Sequence, residues 1–283
     1  MIIWIASYPK SGNTWVRSLI SAYLYSENGI FNFNLLKKIQ QFPSKLYLKY
    51  FIEDFKDIIN VSNHWIPAQD RINLFSDGTS FFKTHSALCS LENNSFTNKA
   101  NTKAAIYVVR DPRNLVTSFS HHYSYNMEES FNFIINKNNM ITEGIWGSEN
   151  FGVATVLGNW SEHYKSWKNL KFAPILIIKY EDLIKDTKST LISILNFLSN
   201  LIDIKIDEKK ITNTVNSCSF ETLQKKEQIE GFFESVPLEK DANKKINFFY
   251  LGKKNNWKNL LDPKIEKKIR ETFRKEMKEL NFI

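Results

Sequence analysis

Lys10, Ser11, Gly12 and Thr14 are crowded into five residues, between an apolar run and the start of a helical pattern. Lysine supplies a full positive charge, and the two hydroxyls supply hydrogen-bond donors. The run before them, Ile2 to Ala6, is β-branched and of strand length, and Pro9 stops it. After them Trp15, Leu19 and Tyr23 recur at helical spacing. A strand, a short polar turn and a helix start aim several backbone N–H groups at one point, which suits a phosphate or a sulfate. Two further groups sit at the ends of apolar runs, where open α/β sheets place ligands. Lys83-Thr84-His85 closes the run Thr79 to Phe82, and Arg110-Asp111-Pro112-Arg113 follows Ala104 to Val109 at once. An arginine there offers a planar fork for an anion. His85 offers a proton acceptor near neutral pH, although a lone histidine is also an ordinary structural residue.

The first turn is not a Walker A loop, which needs Gly-x-x-x-x-Gly-Lys-Ser/Thr. The residue five before Gly12 is Ser7, and Lys10 precedes Gly12. Tyr8-Pro9-Lys10-Ser11-Gly12-Asn13-Thr14-Trp15 instead resembles the 5′-phosphosulfate loop of sulfotransferases that use 3′-phosphoadenylyl sulfate (PAPS). Further segments carry the resemblance in the family's order. Val108-Val109-Arg110-Asp111-Pro112-Arg113, with Ser118 eight residues after Arg110, is similar to the 3′-phosphate element. Lys83-Thr84-His85 is similar to the segment that supplies the family's catalytic base. Tyr180-Glu181-Asp182 resembles a motif whose tyrosine lies at the nucleotide. Cys218-Ser219-Phe220 resembles one whose phenylalanine stacks on adenine opposite the loop tryptophan, here Trp15. The last motif is partial: Gly252, Trp257 and Lys258 match, but Tyr250-Leu251 stands where the family has Arg-Lys, and Asn255 where it has a second glycine. Two cations for the 3′-phosphate are thus missing, with Lys253 or Lys254 as replacements.

The resemblance implies a donor site of Lys10, Ser11, Gly12, Asn13, Thr14, Trp15, Arg110, Ser118, Tyr180, Ser219, Phe220, Gly252 and Lys253. It implies His85, Lys10, Lys83 and Ser118 as catalytic residues, and sulfuryl transfer from PAPS to a hydroxyl or amine. The acceptor, a small molecule or a carbohydrate, is not identified. A sulfate end carries a single charge, so no metal is expected. Asp111 reads as a partner of Arg110 or as a helix cap. Two alternatives stay open: a P-loop-like nucleotide kinase or NTPase, and a non-catalytic nucleotide or polyanion binder.

The elements that must position these residues follow from the same pattern. With 42% hydrophobic residues in 283, the chain can bury the core of one large domain, 1–283. The expected fold is α/β, a central parallel β-sheet flanked by helices with P-loop NTPase-like topology. Strands are expected at 2–6, 79–85, 104–109 and 174–179, and helices after Thr14, over 112–123, from 126, over 157–167, over 188–201, over 208–217 and as one piece over 262–280. Leu35–Gln41, Ser44–Phe51 and Gln69–Phe75 read as helical pieces of a cap. Gly144, Trp146 and Gly147 mark a loop, and residues 226–247, rich in Lys, Glu and Asn, a mobile stretch. Trp160, His163 and Trp167 form a stripe at helical spacing that reads as core. A net charge of +8 favours anionic ligands, but no nucleic-acid module is present. The absence of a signal-peptide pattern or long apolar run, and two cysteines in no metal or redox spacing, suggest a cytoplasmic protein with no integral membrane segment. The sequence says nothing of oligomeric state.

Overall fold

A computed structural model describes all residues except 56, 143–151, 236, 239 and 240, and leaves the side chains of 237, 238 and 241–245 undescribed. The expected Gly144–Gly147 loop therefore lies outside the described residues. At the centre is a five-stranded parallel sheet: β1 (Ile2–Ser7), β2 (Gln40–Gln41), β3 (Ser80–Thr84), β4 (Thr102–Val109) and β5 (Ile175–Lys179), in the order β2-β3-β1-β4-β5. β1 lies in the middle, and every residue of it is buried. Its side chains alternate between two cores, Ile2, Trp4 and Ala6 on one face and Ile3 and Ile5 on the other. Burial on both faces is why the strand reads as a continuous apolar run.

The register brings the chemistry-bearing ends together. Ala6 pairs with Thr84 on one side and with Tyr107 on the other, and Val109 pairs with Lys179. Helices α1 (Asn13–Tyr25), α2 (Pro112–Tyr123), α3 (Trp160–Lys168), α4 (Tyr180–Lys185) and α5 (Phe220–Glu230) pack around the sheet. The helix α2 begins where expected because Pro112 occupies its first turn and Asp111 accepts from the Arg113 N–H at 2.9 Å.

The expected cap differs. Residues Phe33–Lys38 form a 3-10 helix, and Gln40–Gln41 is an edge strand. A two-residue strand has no period to read and exists only through its partner. The pieces at 44–51 and 69–75 are Lys45–Leu48 and Trp65–Leu74, with a further helix at Ile58–Asn63. The single C-terminal helix is two, Pro263–Thr272 and Arg274–Glu279, because Phe273 turns into the core against Trp160. Within 226–247, α5 continues to Glu230, and Pro237–Leu238 pairs with Asp241–Lys245. No helix among the described residues is long and apolar enough to cross a membrane.

Candidate anion and active site

The turn between β1 and α1 is wound so that its amides converge. Lys10 has φ 64° and Gly12 φ 100°, both left-handed. Left-handed residues next to right-handed ones form a concave nest of N–H groups that fits an anion. Gly12 is required twice over, since a Cβ there would lie 2.5 Å from the Tyr180 ring. Asn13 fastens the helix start to the strand, its Nδ2 donating to the Ile5 carbonyl at 2.9 Å and to Ser7 Oγ at 3.2 Å. Ser11 Oγ is buried and unpartnered.

Lys10 is half-buried, with its Nζ 4.3 Å from the centroid of the Phe248 ring. Burial first, and the positive charge of Arg110 second, bring its pKa down to about 7. Arg110 donates to the Lys10 carbonyl at 2.9 Å and lies 4.1 Å from the centroid of the Tyr180 ring, while its Nε is buried without a partner. Tyr180 in turn meets Trp15 edge-on at 5.9 Å. Lys10, Gly12, Trp15, Arg110 and Tyr180 are therefore one packed group, drawn from three strand ends.

His85 follows β3 and is buried. Its Nδ1 lies 2.8 Å from the Ser7 carbonyl, which can only accept, so the proton sits on Nδ1 and the lone pair on Nε2. Burial, then the charge of Lys83, hold this imidazole well below its ordinary pKa, against the pull of the Ser7 hydrogen bond. His163 Nε2 donates to the His85 carbonyl at 3.0 Å while its Nδ1 faces Tyr107 Oη at 2.8 Å. The Trp160–Trp167 stripe is core, yet its histidine also braces the end of β3.

The remaining sequence candidates are distributed more widely. Ser118 is half-buried on α2. Ser219 caps α5, accepting from the Thr222 N–H at 3.3 Å. Phe220 packs on Gly252, where a Cβ would come within 2.6 Å of the ring. Lys253 and Lys254 are exposed. Tyr250 stacks on His121 with ring centroids 3.5 Å apart. The last motif is nonetheless docked on α2, because the Trp257 N–H donates to Asn114 Oδ1 at 2.9 Å and Asn255 Oδ1 accepts from Thr117. Asp111 is a helix cap, but its ion pair is with Arg113 at 2.7 Å, not with Arg110. A guanidinium two residues on can fork the carboxylate that caps its own helix, and Arg110 is turned toward the loop.

Two residues that the motifs did not single out complete the site. Arg17, one turn beyond Thr14 on α1, is 3% exposed. Its Nη1 donates at 2.6 Å to Glu234, which also accepts from Thr14 Oγ1 at 2.8 Å and lies 4.0 Å from Lys83 Nζ. Burial alone would raise the Glu234 pKa, but Lys83 and Arg17 hold it far below the carboxylate range. The i, i+3 spacing of Thr14 and Arg17 was a readable signal. Nothing in the sequence pointed to Glu234. Among the described residues no group of three or more His, Cys, Asp or Glu is placed to hold a metal ion.

The family model described as Sulfotransferase domain matches residues 2–281. Sulfotransferase 1A1 of Rattus norvegicus is 26% identical over 259 residues, covering 90% of this chain and 77% of its own. Luciferin sulfotransferase of Photinus pyralis is 25% identical over 287 residues, covering 99% and 73%. Amine sulfotransferase of Oryctolagus cuniculus is 24% identical over 289 residues, covering 99% and 83%. The solved structure of retinol dehydratase in complex with androsterone and inactive cofactor PAP has the same fold, with a TM-score of 0.58 at 17% identity over 98% of this chain and 80% of that one.

Proposed function

Since the chain belongs to the sulfotransferase domain family, we propose that residues 1–283 form one domain that moves a sulfuryl group from PAPS to a hydroxyl or amine of a small-molecule or carbohydrate acceptor, with His85 as general base. The observation that carries the reading is the nest at Lys10–Gly12, together with the half-buried carboxylate held beside it by Thr14, Arg17 and Lys83. A site that gathers a carboxylate from its own chain is built for an anion. The unpartnered Ser11 Oγ and Arg110 Nε fit a ligand with two anionic ends, one at the loop and one at the start of α2.

The donor supplies an activated sulfuryl group and leaves as 3′,5′-phosphoadenosine (PAP). The chain's own residues do the rest. The loop amides, Ser11 and Thr14 orient the anionic end, and Lys10 meets charge that builds on a leaving oxygen. An anion beside Lys10 opposes the burial that lowers its pKa and keeps it an ammonium. His85 Nε2 takes the acceptor's proton, and the Ser7 carbonyl keeps the ring in that tautomer. Lys83, on the same side of the strand as His85, disfavours an imidazolium until negative charge collects between them. The adenine is assigned to the region of Trp15, Phe220 and Gly252, and the 3′-phosphate to Arg110 and Ser118, with Lys253 at the rim.

Relatives named for luciferin and for amines support a broad acceptor class. The free cysteines Cys89 and Cys218 support a cytoplasmic location. The nucleotide-kinase alternative is disfavoured by the missing Walker spacing. The test is transfer of label from PAPS labelled in its sulfuryl group to a panel of alcohols, phenols and amines. Labelled product with stoichiometric PAP is expected. A protein that is stabilised by ATP, is indifferent to PAP and leaves PAPS intact would refute the reading.

A further inference from the structure

The Glu234 carboxylate sits inside the cationic group that the mechanism needs. Thr14, on the first turn of α1, donates its hydroxyl proton to Oε2 at 2.8 Å, and Arg17 donates to Oε1 at 2.6 Å. Lys83 lies 4.0 Å from the same oxygen. Arg17 is pinned for this task, because its Nη2 is held by the Leu36 and Ile39 carbonyls at 3.4 and 3.0 Å and Nη1 is thereby left aimed at the site. The segment that carries Glu234 is a turn anchored on both sides. Phe232 is buried against Phe33, Phe248 and Phe249, and Ser235 Oγ donates to Glu227 at 2.6 Å. Between these anchors, Phe233 is half exposed and Glu234 points inward. Gly231, just before them, has φ 71° and open space where a Cβ would be.

We propose that Thr14, Arg17 and Lys83 form an anion subsite that Glu234 fills from within, so that the carboxylate is a built-in competitor which must withdraw before the donor's anionic end can enter. The hydroxyl of Thr14 has one proton and cannot serve two anions. A second anion at Arg17 would also lie against the carboxylate, in a half-buried setting where like charges repel more strongly than in open water. The competitor is covalently attached, so its effective concentration is high and apparent anion affinity falls accordingly. Arg17 becomes a ligand for the donor once Glu234 has left. The inference rests on the proposed sulfotransferase reading only in naming the donor.

The test uses inorganic sulfate as well as PAP, on the whole chain, by calorimetry. Glu234→Gln keeps the shape and removes the charge. Sulfate and PAP are each expected to bind about tenfold more tightly to this variant than to the parent chain. Unchanged or weakened sulfate affinity overturns the proposal. A sulfate gain with PAP bound by neither protein would leave the internal competitor standing and count against the donor reading instead. A second measurement needs no variant: hydrogen exchange of residues 231–235 is expected to rise on adding PAP or sulfate. A fall in exchange would mean that Glu234 stays as a strut across the occupied site, and would overturn the proposal.

Discussion

Replacing His85 by Asn isolates the proposed base from the fold around it. The Asn side-chain amide can still donate toward the Ser7 carbonyl, which His85 Nδ1 reaches at 2.8 Å. The bond from His163 goes to the backbone carbonyl of residue 85 and does not depend on the side chain. Stability should therefore change by no more than about 1 kcal/mol, a few degrees in Tm for a chain of this size. What disappears is the lone pair on Nε2. Losing a general base costs about 10²–10⁴ in rate, or about 2.7–5.4 kcal/mol at 1.36 kcal/mol per tenfold. The assay is single turnover at saturating PAPS, with two phenols of different acidity. The loss should shrink for the phenol already ionised at the assay pH, because it needs no base. The pH profile gives an independent check. The base works unprotonated, and its pKa lies well below 6.5, so activity should persist through neutral pH and fall only as pH drops through that lowered value. This acid limb should vanish in His85→Asn. An undiminished rate, or an unchanged acid limb, would refute the assignment and turn attention to His122, buried beside Phe248.

Three further outcomes are expected. Arg110→Ala should weaken PAP and adenosine 5′-phosphosulfate together through the lost bond to the Lys10 carbonyl. It should weaken PAP by an additional 1.5–3 kcal/mol, roughly, because only PAP carries the 3′-phosphate, and equal losses by calorimetry would make Arg110 structural. Gly12→Ala places a Cβ 2.5 Å from Tyr180 at φ 100°, so a strain of about 1–3 kcal/mol should lower Tm and loosen PAP, and a wild-type melt with wild-type affinity would contradict the loop geometry. Glu234 has a folded pKa below its unfolded value. Its contribution to stability is present above about pH 4.3 and is lost as pH falls toward the lowered folded value. The Tm difference between the parent chain and Glu234→Gln should therefore shrink from pH 5 to pH 3, and a constant difference would mean that the carboxylate does not feel its cations.

Much of the donor side was legible because its physics is local. A strand, a turn with Gly12 and a helix follow one another within 25 residues, and Asp111-Pro112 marks a helix start by itself. Arg110, Tyr180 and Lys10 could be grouped through the family order, and the structure packs them against one another. The cap was less legible: β2 has no pattern apart from β3, and Phe273 breaks a charged helix only because Trp160 awaits it. Glu234 was not legible at all. It stands in a stretch rich in charge and meets Arg17 across 217 residues of sequence, a pairing that no local period encodes.

The central place of β1 has a consequence for how the protein comes to exist. The loop that follows it lies far along the chain from its partners. Ser7 meets His85 from 78 positions away, and Lys10 meets Arg110 from 100. Parallel pairing over such distances carries the loop-closure cost before any contact repays it, so this sheet should assemble slowly. A chain in which β3 and β4 have not yet docked has the anion-loop residues but not Lys83, His85 and Arg110 beside them. Donor binding is thus linked to the docking of β3 and β4, and ligand that binds only the completed site pulls the whole equilibrium toward the native state. Nucleotide affinity in a destabilised variant then reports on the docking of β3 and β4 against β1.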